Sequence, residues 1–282
     1  MNARVLILGA GGQVGRALAA CYGESAIAMM RRDTDLSQPG FVKALDKHAP
    51  QAVINAAAYT QVDKAEGEGR AEAFRVNAEA MAELADWCKM RGVPLAHYST
   101  DYVFDGSGTR PWHESDLAAP INVYGESKLA GERAIAESGC RHLIFRTSWV
   151  YDAQGKNFFT TMRRLFAEKD ALKVVNDQIG APTYAPHLAR VTQAALAKAL
   201  AASAFPSGVY HLCNAGQTSW HGFAEAILTL ARTHDSGIRC QRIEPIPSSG
   251  YPTPAKRPLN SRLDCGKASK NFGVTMADWQ IG

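Results

Sequence analysis

An apolar run from Arg4 to Leu8 stops at Gly9-Ala10-Gly11-Gly12-Gln13-Val14-Gly15, and a helical pattern resumes through Ala20. This strand, glycine loop and helix constrain the fold more than any other feature of the chain. Gly9, Gly12 and Gly15 stand in the spacing G-x-x-G-x-x-G, and each missing side chain has a physical use. One permits a tight turn, one lets the backbone approach a pyrophosphate, and one lets the helix pack closely on the sheet. The start of the helix then offers unpaired N–H groups to a phosphate. In this setting the loop marks dinucleotide binding, the alternative being a purely structural turn.

The following segments keep the same rhythm. Ala26 to Met30 reads as a strand, Phe41 to His48 as a helix, and Ala52-Val53-Ile54-Asn55 as a strand after Pro50. One long helix is predicted from Arg70 to Arg91, a strand over Pro94 to Tyr98, a helix over Tyr124 to Glu137 and a strand over Leu143 to Arg146. Such alternation predicts an α/β protein with a doubly wound parallel sheet, the Rossmann arrangement. Beyond Trp149 the rhythm loosens. Helices are predicted over Phe158 to Glu168, His187 to Ala202 and Phe223 to Arg232, and a short strand over Lys173 to Val175. Pro182 and Pro186 bracket a loop, and Gly208 to Cys213 reads as a strand able to rejoin the main sheet. Prolines at 245, 247, 252, 254 and 258 predict mostly loop from Pro245 to Asn260. The expected layout is a dinucleotide-binding domain of residues 1–150 plus about 186–213, with a smaller, partly interleaved substrate-binding lobe of about 151–185 plus 214–282.

Composition excludes several classes of function. Hydrophobic residues make up 46% and charged residues 21%, as in a well-buried protein, and the net charge of +4 comes from scattered basic residues. No stripe dense enough for nucleic acid is present. The six cysteines, at 21, 88, 140, 213, 240 and 265, show no C-x-x-C pair, which fits a reducing compartment. No apolar stretch approaches the roughly 20 residues that span a bilayer. Met1 runs almost directly into the first strand, leaving no room for a signal peptide. A cytoplasmic protein with no membrane or nucleic-acid partner is therefore expected.

The candidate chemistry lies in Tyr124-Gly125-Glu126-Ser127-Lys128, a Tyr-x-x-x-Lys at a helix start. Four-residue spacing puts both side chains on one helical face. A free phenol, with a pKa near 10, is a poor acid at neutral pH, and lowering it by about three units takes roughly 4 kcal/mol from a neighbour such as an ammonium. So tuned, a phenol can protonate the oxygen of a carbonyl that receives hydride. Alone the motif is weak. Upstream, Ser99-Thr100-Asp101-Tyr102-Val103-Phe104-Asp105-Gly106 follows a predicted strand, whose carboxyl end faces the ligand crevice in a doubly wound fold. The Thr100 hydroxyl could hold the carbonyl there, or merely close the strand. At the end of the second strand, Met30, Arg31 and Arg32 stand where a carboxylate would select NAD. Arg31 instead suits the 2′-phosphate of NADPH, with NADH still possible, unless these arginines are simply solvated.

Several longer strings resemble the dTDP-4-dehydrorhamnose reductase family. They are Gly9 to Gly15, Asn55-Ala56-Ala57-Ala58-Tyr59-Thr60, Val62 to Glu66, Ser99 to Gly106, Tyr124 to Gly131, Arg146 to Tyr151, Asp177 to Thr183 and Arg257 to Ser261, spread over essentially the whole chain. The resemblance implies a cofactor-dependent reduction of the 4-keto group of dTDP-4-dehydro-L-rhamnose to dTDP-L-rhamnose. It implies Tyr124 as proton donor, Lys128 as its partner and ribose ligand, and Thr100 as the third catalytic group. Gly12, Gln13 and Val14 match the cofactor loop; Asp35, Leu36, Ala58, Tyr59 and Thr60 match further cofactor contacts. Val62, Asp101, Tyr102 and Trp149 match positions near the sugar. An indole suits that place, offering a sugar a flat apolar face and one donor, although a core aromatic at a strand end would read the same way.

One departure stands out. Some members of the family dimerise through a magnesium site built from glutamates, one of them two residues after the last loop glycine. Here that residue is Ala17, Pro182 to Pro186 contains no glutamate, and the chain ends at Gly282 without one. No two of the eight histidines are spaced i, i+4 to face one another on a helix. No metal is expected, and the chain should be a monomer or a weak homodimer. Two other readings remain open. One is a related 4-ketoreductase of other stereochemistry or an epimerase. The other is a non-catalytic subunit resembling the regulatory subunit of methionine adenosyltransferase.

Overall fold

A computed structural model describes residues 4–235 and 237–281; Gly282, counted above for its lack of a glutamate, lies outside them. The first strand, β1 (Val5–Leu8), is buried on both sides, with Leu6 and Leu8 facing one apolar cluster and Val5 and Ile7 another. Such a strand needs helices on both faces, and it has them. After β1 come α1 (Gln13–Tyr22), β2 (Ala26–Met29), β3 (Ala52–Asn55), α2 (Val62–Ala65), α3 (Arg70–Phe74) and α4 (Ala80–Arg91). Next are β4 (Leu95–Thr100), α5 (Val123–Ser138) and β5 (His142–Thr147). Six strands form one parallel sheet in the order β10-β5-β4-β3-β1-β2, where β10 is Gly208–His211. The late strand rejoins the main sheet beside β5, as the sequence predicts.

The order places β2 and β3 on opposite sides of β1, so the chain reverses its direction of travel across the sheet there. At such a switch point the loops at the carboxyl ends diverge and leave a crevice. The glycine loop and the segment after Asn55 both emerge into it.

Three expectations need correction. The stretch from Arg70 to Arg91 is helical throughout but not one α-helix: a π turn over Arg75–Glu79 separates α3 from α4 and turns Asn77 into the core. Phe41 to His48 shortens to a 3-10 turn, Phe41–Leu45, that buries Phe41 and Leu45. Pro245 lies in a strand and not in a loop: β12 (Arg242–Ile246) pairs in parallel with β7 (Ala171–Val175). A two-stranded ribbon has only edges, where a residue lacking an N–H is tolerated.

The remaining elements are β6 (Val150–Tyr151), α6 (Phe158–Glu168), β8 (Ile179–Gly180), β9 (Thr183–Tyr184), α7 (Ala185–Ala201), β11 (Thr218–Ser219), α8 (Trp220–His234) and α9 (Gly266–Phe272). A separate apolar cluster joins α6, α8 and β7 through Met162, Phe166, Val174, Phe223, Ile227 and Leu228. By contrast α9 packs on the main sheet, where Ala268 and Phe272 share a cluster with Tyr210, Leu188 and Leu18. Among the described residues no helix is long and apolar enough to cross a membrane, and no group of three or more His, Cys, Asp or Glu side chains is gathered as if to hold a metal.

Candidate active site

Gly9 has φ +75°, and a Cβ there would lie 2.6 Å from the amide nitrogen of Ala57. A Cβ on Gly15 would lie 2.1 Å from the Gly9 carbonyl oxygen. The loop therefore packs directly on the end of β3 and on its own helix, which only glycine permits. Gly12 begins α1 with no side chain capping the helix, so the first-turn N–H groups point into the crevice without intrahelical partners. An uncapped helix start beside a cradle that a Cβ would fill fits a pyrophosphate. Val14, half-buried, packs against the core, and the Gln13 side chain accepts from Asn157 Nδ2 at 2.9 Å, tying the loop to the start of α6.

Around this loop the candidate cofactor residues divide. Arg31 is exposed but paired, donating to Asp35 at 3.1 Å and lying 3.6 Å from Glu72. Asp35 also accepts from the Ser37 N–H at 2.9 Å. The Leu36 side chain is in the core, so only its backbone is available to a ligand. Ala58 and Thr60 are exposed, with Tyr59 buried between them. Asn77, on the π turn, holds that segment: its Oδ1 accepts from Tyr59 N at 2.9 Å, and its Nδ2 donates to Tyr59 O at 3.1 Å and to Ser127 Oγ at 3.0 Å. Ser127 in turn donates to the Tyr124 carbonyl at 2.8 Å, so one buried amide couples the loop after β3 to α5.

Thr100 and Tyr124 meet where β4 ends, with Lys128 one turn further along α5. Thr100 Oγ1 donates to Asp101 Oδ1 at 3.1 Å and accepts from the Tyr102 N–H at 3.2 Å. The same hydroxyl neighbours the Tyr124 phenol, and the Tyr102 and Tyr124 rings meet edge to face with centroids 5.7 Å apart. Asn122 starts α5 by accepting from Gly125 N at 2.8 Å, which fixes Tyr124 and Lys128 along one side of the helix. The spacing predicts a depressed phenol, but the surroundings act the other way. Burial first, and then the Asp101 carboxylate, push Tyr124 up to about 12, with Thr100 pulling back. Lys128 directs its charge elsewhere: Nζ donates to Tyr98 O at 2.6 Å and lies 3.1 Å from His97 Nε2. Burial brings the ammonium down to about 8, while Glu132 holds it up.

Toward the other wall, Asp101 is buried with Oδ2 unpartnered, and burial lifts its carboxyl to about 6 against the Ser261 and Thr100 hydroxyls. Val62 is half-buried at the start of α2. Trp149 has φ +48°, the one non-glycine residue in the left-handed region among those described. One indole face stacks on Trp220, with centroids 3.8 Å apart and planes 14° from parallel. Strained backbone at a bulky residue is rare and clusters at ligand sites. Three features escaped the sequence reading. Asn77 and His97 carried no motif of their own. Arg257 belongs to a noted string, but its bidentate pair with Asp63, at 3.0 and 2.7 Å, is a contact across 194 positions.

A switch-point glycine loop, with Thr100 at the end of β4 and Tyr124 and Lys128 one turn apart on α5, defines a dinucleotide-binding oxidoreductase fold of the extended short-chain dehydrogenase type. Residues 3–282 match the family described as RmlD substrate binding domain, and the chain belongs to that family. A dTDP-4-dehydrorhamnose reductase of Burkholderia thailandensis is 48% identical over 98% of this chain and 95% of its own length. One from Escherichia coli (strain K12) is 44% identical over 99% of this chain and 95% of its own. Among solved structures, the dTDP-4-dehydrorhamnose reductase of Bacillus anthracis, in complex with NADP, superposes with a TM-score of 0.90 at 33% identity, covering 100% of this chain and 97% of that one.

Proposed function

We propose that this chain reduces the C4 keto group of dTDP-4-dehydro-L-rhamnose to give dTDP-L-rhamnose, using NADPH, with NADH as a weaker substitute. What supports the reading is Thr100 beside Tyr124 at the carboxyl edge of β4, with Lys128 one turn along the same helix and an uncapped glycine loop at the switch point. A non-catalytic subunit has no need of such a group.

NADPH, when bound, supplies the hydride. In this reading Gly9, Gly12, Gln13, Val14 and Gly15 hold its pyrophosphate, and Arg31 meets the 2′-phosphate by exchanging a carboxylate partner for it. Asp35, the Leu36 backbone, Ala58, Tyr59 and Thr60 line its path, and Lys128 reaches the nicotinamide ribose. Thr100 and Tyr124 hold the substrate carbonyl oxygen, and Tyr124 gives it a proton as charge develops there. A phenol that burial keeps protonated retains that proton until an oxyanion forms beside it. Positioning and stabilisation of that oxyanion do most of the work. Val62, Asp101, Tyr102 and Trp149 receive the sugar nucleotide. Residues 1–150 and about 186–213 form the dinucleotide-binding domain, joined by α9 through its packing, and the rest forms a smaller lobe that closes over the substrate side. The protein acts in the cytoplasm, without metal, as a monomer or weak homodimer.

The test is a coupled assay with dTDP-4-dehydro-L-rhamnose, following loss of NADPH absorbance and identifying the sugar by NMR. Cofactor oxidation with formation of dTDP-L-rhamnose is expected. No oxidation with this or a related keto sugar would end the proposal.

A further inference from the structure

Behind Lys128 runs a row of buried polar groups that the proposed reduction does not use. The Ala57 N–H donates to Asn55 Oδ1 at 3.0 Å. That bond fixes the amide, so Asn55 Nδ2 faces His97 Nδ1 at 3.0 Å. The opposite ring nitrogen, Nε2, is 3.1 Å from Lys128 Nζ, which donates to Tyr98 O at 2.6 Å. Asn55, His97 and Lys128 are all but inaccessible to solvent. Asn55 Nδ2 also lies 3.1 Å from Met81 Sδ, which can take one of its two hydrogens and leaves the other for the ring.

The polarity of the row follows from what each atom can do. An amide nitrogen only donates, so His97 Nδ1 must accept and carries no proton. In a neutral imidazole the proton then sits on Nε2, pointing at Nζ. A primary amine can accept it through its lone pair; an ammonium cannot, and would set donor against donor. Turning the Asn55 amide over would free that end, only to point Nδ2 at the Ala57 N–H.

We propose that His97, oriented by Asn55, is a positioning residue for Lys128 that donates a hydrogen bond to Nζ and favours its neutral amine over its ammonium. The wiring stands apart from the reductase reading, while its kinetic consequence rests on it. Burial keeps the imidazole well below its ordinary value, so a charged ring does not compete. Other groups around Nζ have fixed roles. Glu132, one turn further along α5, favours the ammonium, but its carboxylate is committed to Arg146 of β5 by bonds of 2.9 and 2.6 Å. From β4 come only the Tyr98 carbonyl and the His97 ring, and Tyr124, one turn back, carries no charge below its pKa of about 12. Proton uptake by Lys128 therefore requires the row to reverse as far as Ala57, the residue on which Gly9 packs.

Two-bond 1H–15N spectra of 15N-histidine-labelled protein read the tautomer directly, with the His97 ring assigned by its loss in His97→Gln. Above the Lys128 value of about 8, a neutral ring with the proton on Nε2 is expected; a proton on Nδ1 there, or an imidazolium, overturns the proposal. Asn55→Asp places a carboxylate oxygen where the amide donor was. It should draw the proton to Nδ1 and leave Nε2 to accept from an ammonium. In that variant the ionisation of Lys128 seen in the pH profile of kcat should rise by about one unit, a tenfold gain in proton affinity. A profile that superposes on wild type, or that moves down, defeats the link to Lys128. If Asn55→Asp does not fold, the wild-type spectrum still decides the wiring. If wild-type protein oxidises no NADPH with the keto sugar, the reductase reading fails while the tautomer test remains intact.

Discussion

Tyr124, Arg31 and Asp101 each make a separate demand on experiment. Tyr124→Phe removes one proton donor and leaves the packing, so NADPH binding should persist while kcat falls by about a hundred- to ten-thousand-fold. Stopped-flow turnover alongside fluorescence titration of the cofactor checks both halves, and wild-type turnover in the variant removes the mechanism. Arg31→Glu should raise KM for NADPH by about tenfold, some 1.4 kcal/mol, and leave that for NADH nearly unchanged. Equal changes would show that the arginine does not read the 2′-phosphate. Asp101 has a carboxyl raised to about 6 in the fold, so the folded protein binds more protons than the unfolded chain between about pH 4 and 6. Stability is therefore lost as pH rises through that window, by on the order of 3 kcal/mol. Asp101→Asn, which keeps the acceptor for Thr100, should be more stable than wild type at pH 7.5 and equal to it at pH 4. Urea denaturation at the two pH values decides.

Among the elements, α5 concentrates the most consequence. Its buried Glu132 meets Arg146 of β5 in a bidentate pair that solvent barely reaches. Glu132→Gln should cost about 3–5 kcal/mol, because a guanidinium is left buried without its counter-charge. A loss under 1 kcal/mol in urea denaturation would show that water reaches the pair. The helix was legible beforehand from its pattern and from Tyr124 and Lys128 one turn apart at its start. The glycine loop and the six-stranded alternation were legible for the same reason: local spacing carries their physics. What escaped was non-local. The π turn exists to bring Asn77 against Tyr59 and Ser127, contacts across 18 and 50 positions. The phenol was expected to feel Lys128, yet the tertiary fold turns that ammonium toward Tyr98 and puts Asp101 beside Tyr124. Pro245 was read as a breaker because its strand partner lies about 70 residues earlier.

For the molecule as a whole, cofactor binding should appear as added stability. At a hundredfold excess over Kd, NADPH contributes about 2.7 kcal/mol, enough to raise Tm by several degrees. NADH at the same concentration should raise it less, and differential scanning fluorimetry separates the two. The order in which the chain is synthesised matters too. Val5 and Ile7 share their cluster with Ala268, Phe272 and Val274, which lie far along the sequence from them. A nascent chain thus carries an open flank along its central sheet until that distant stretch has been synthesised. A premature stop near Asn260 would spare the glycine loop, Tyr124 and Lys128, yet leave that flank uncovered and hand the product to quality control.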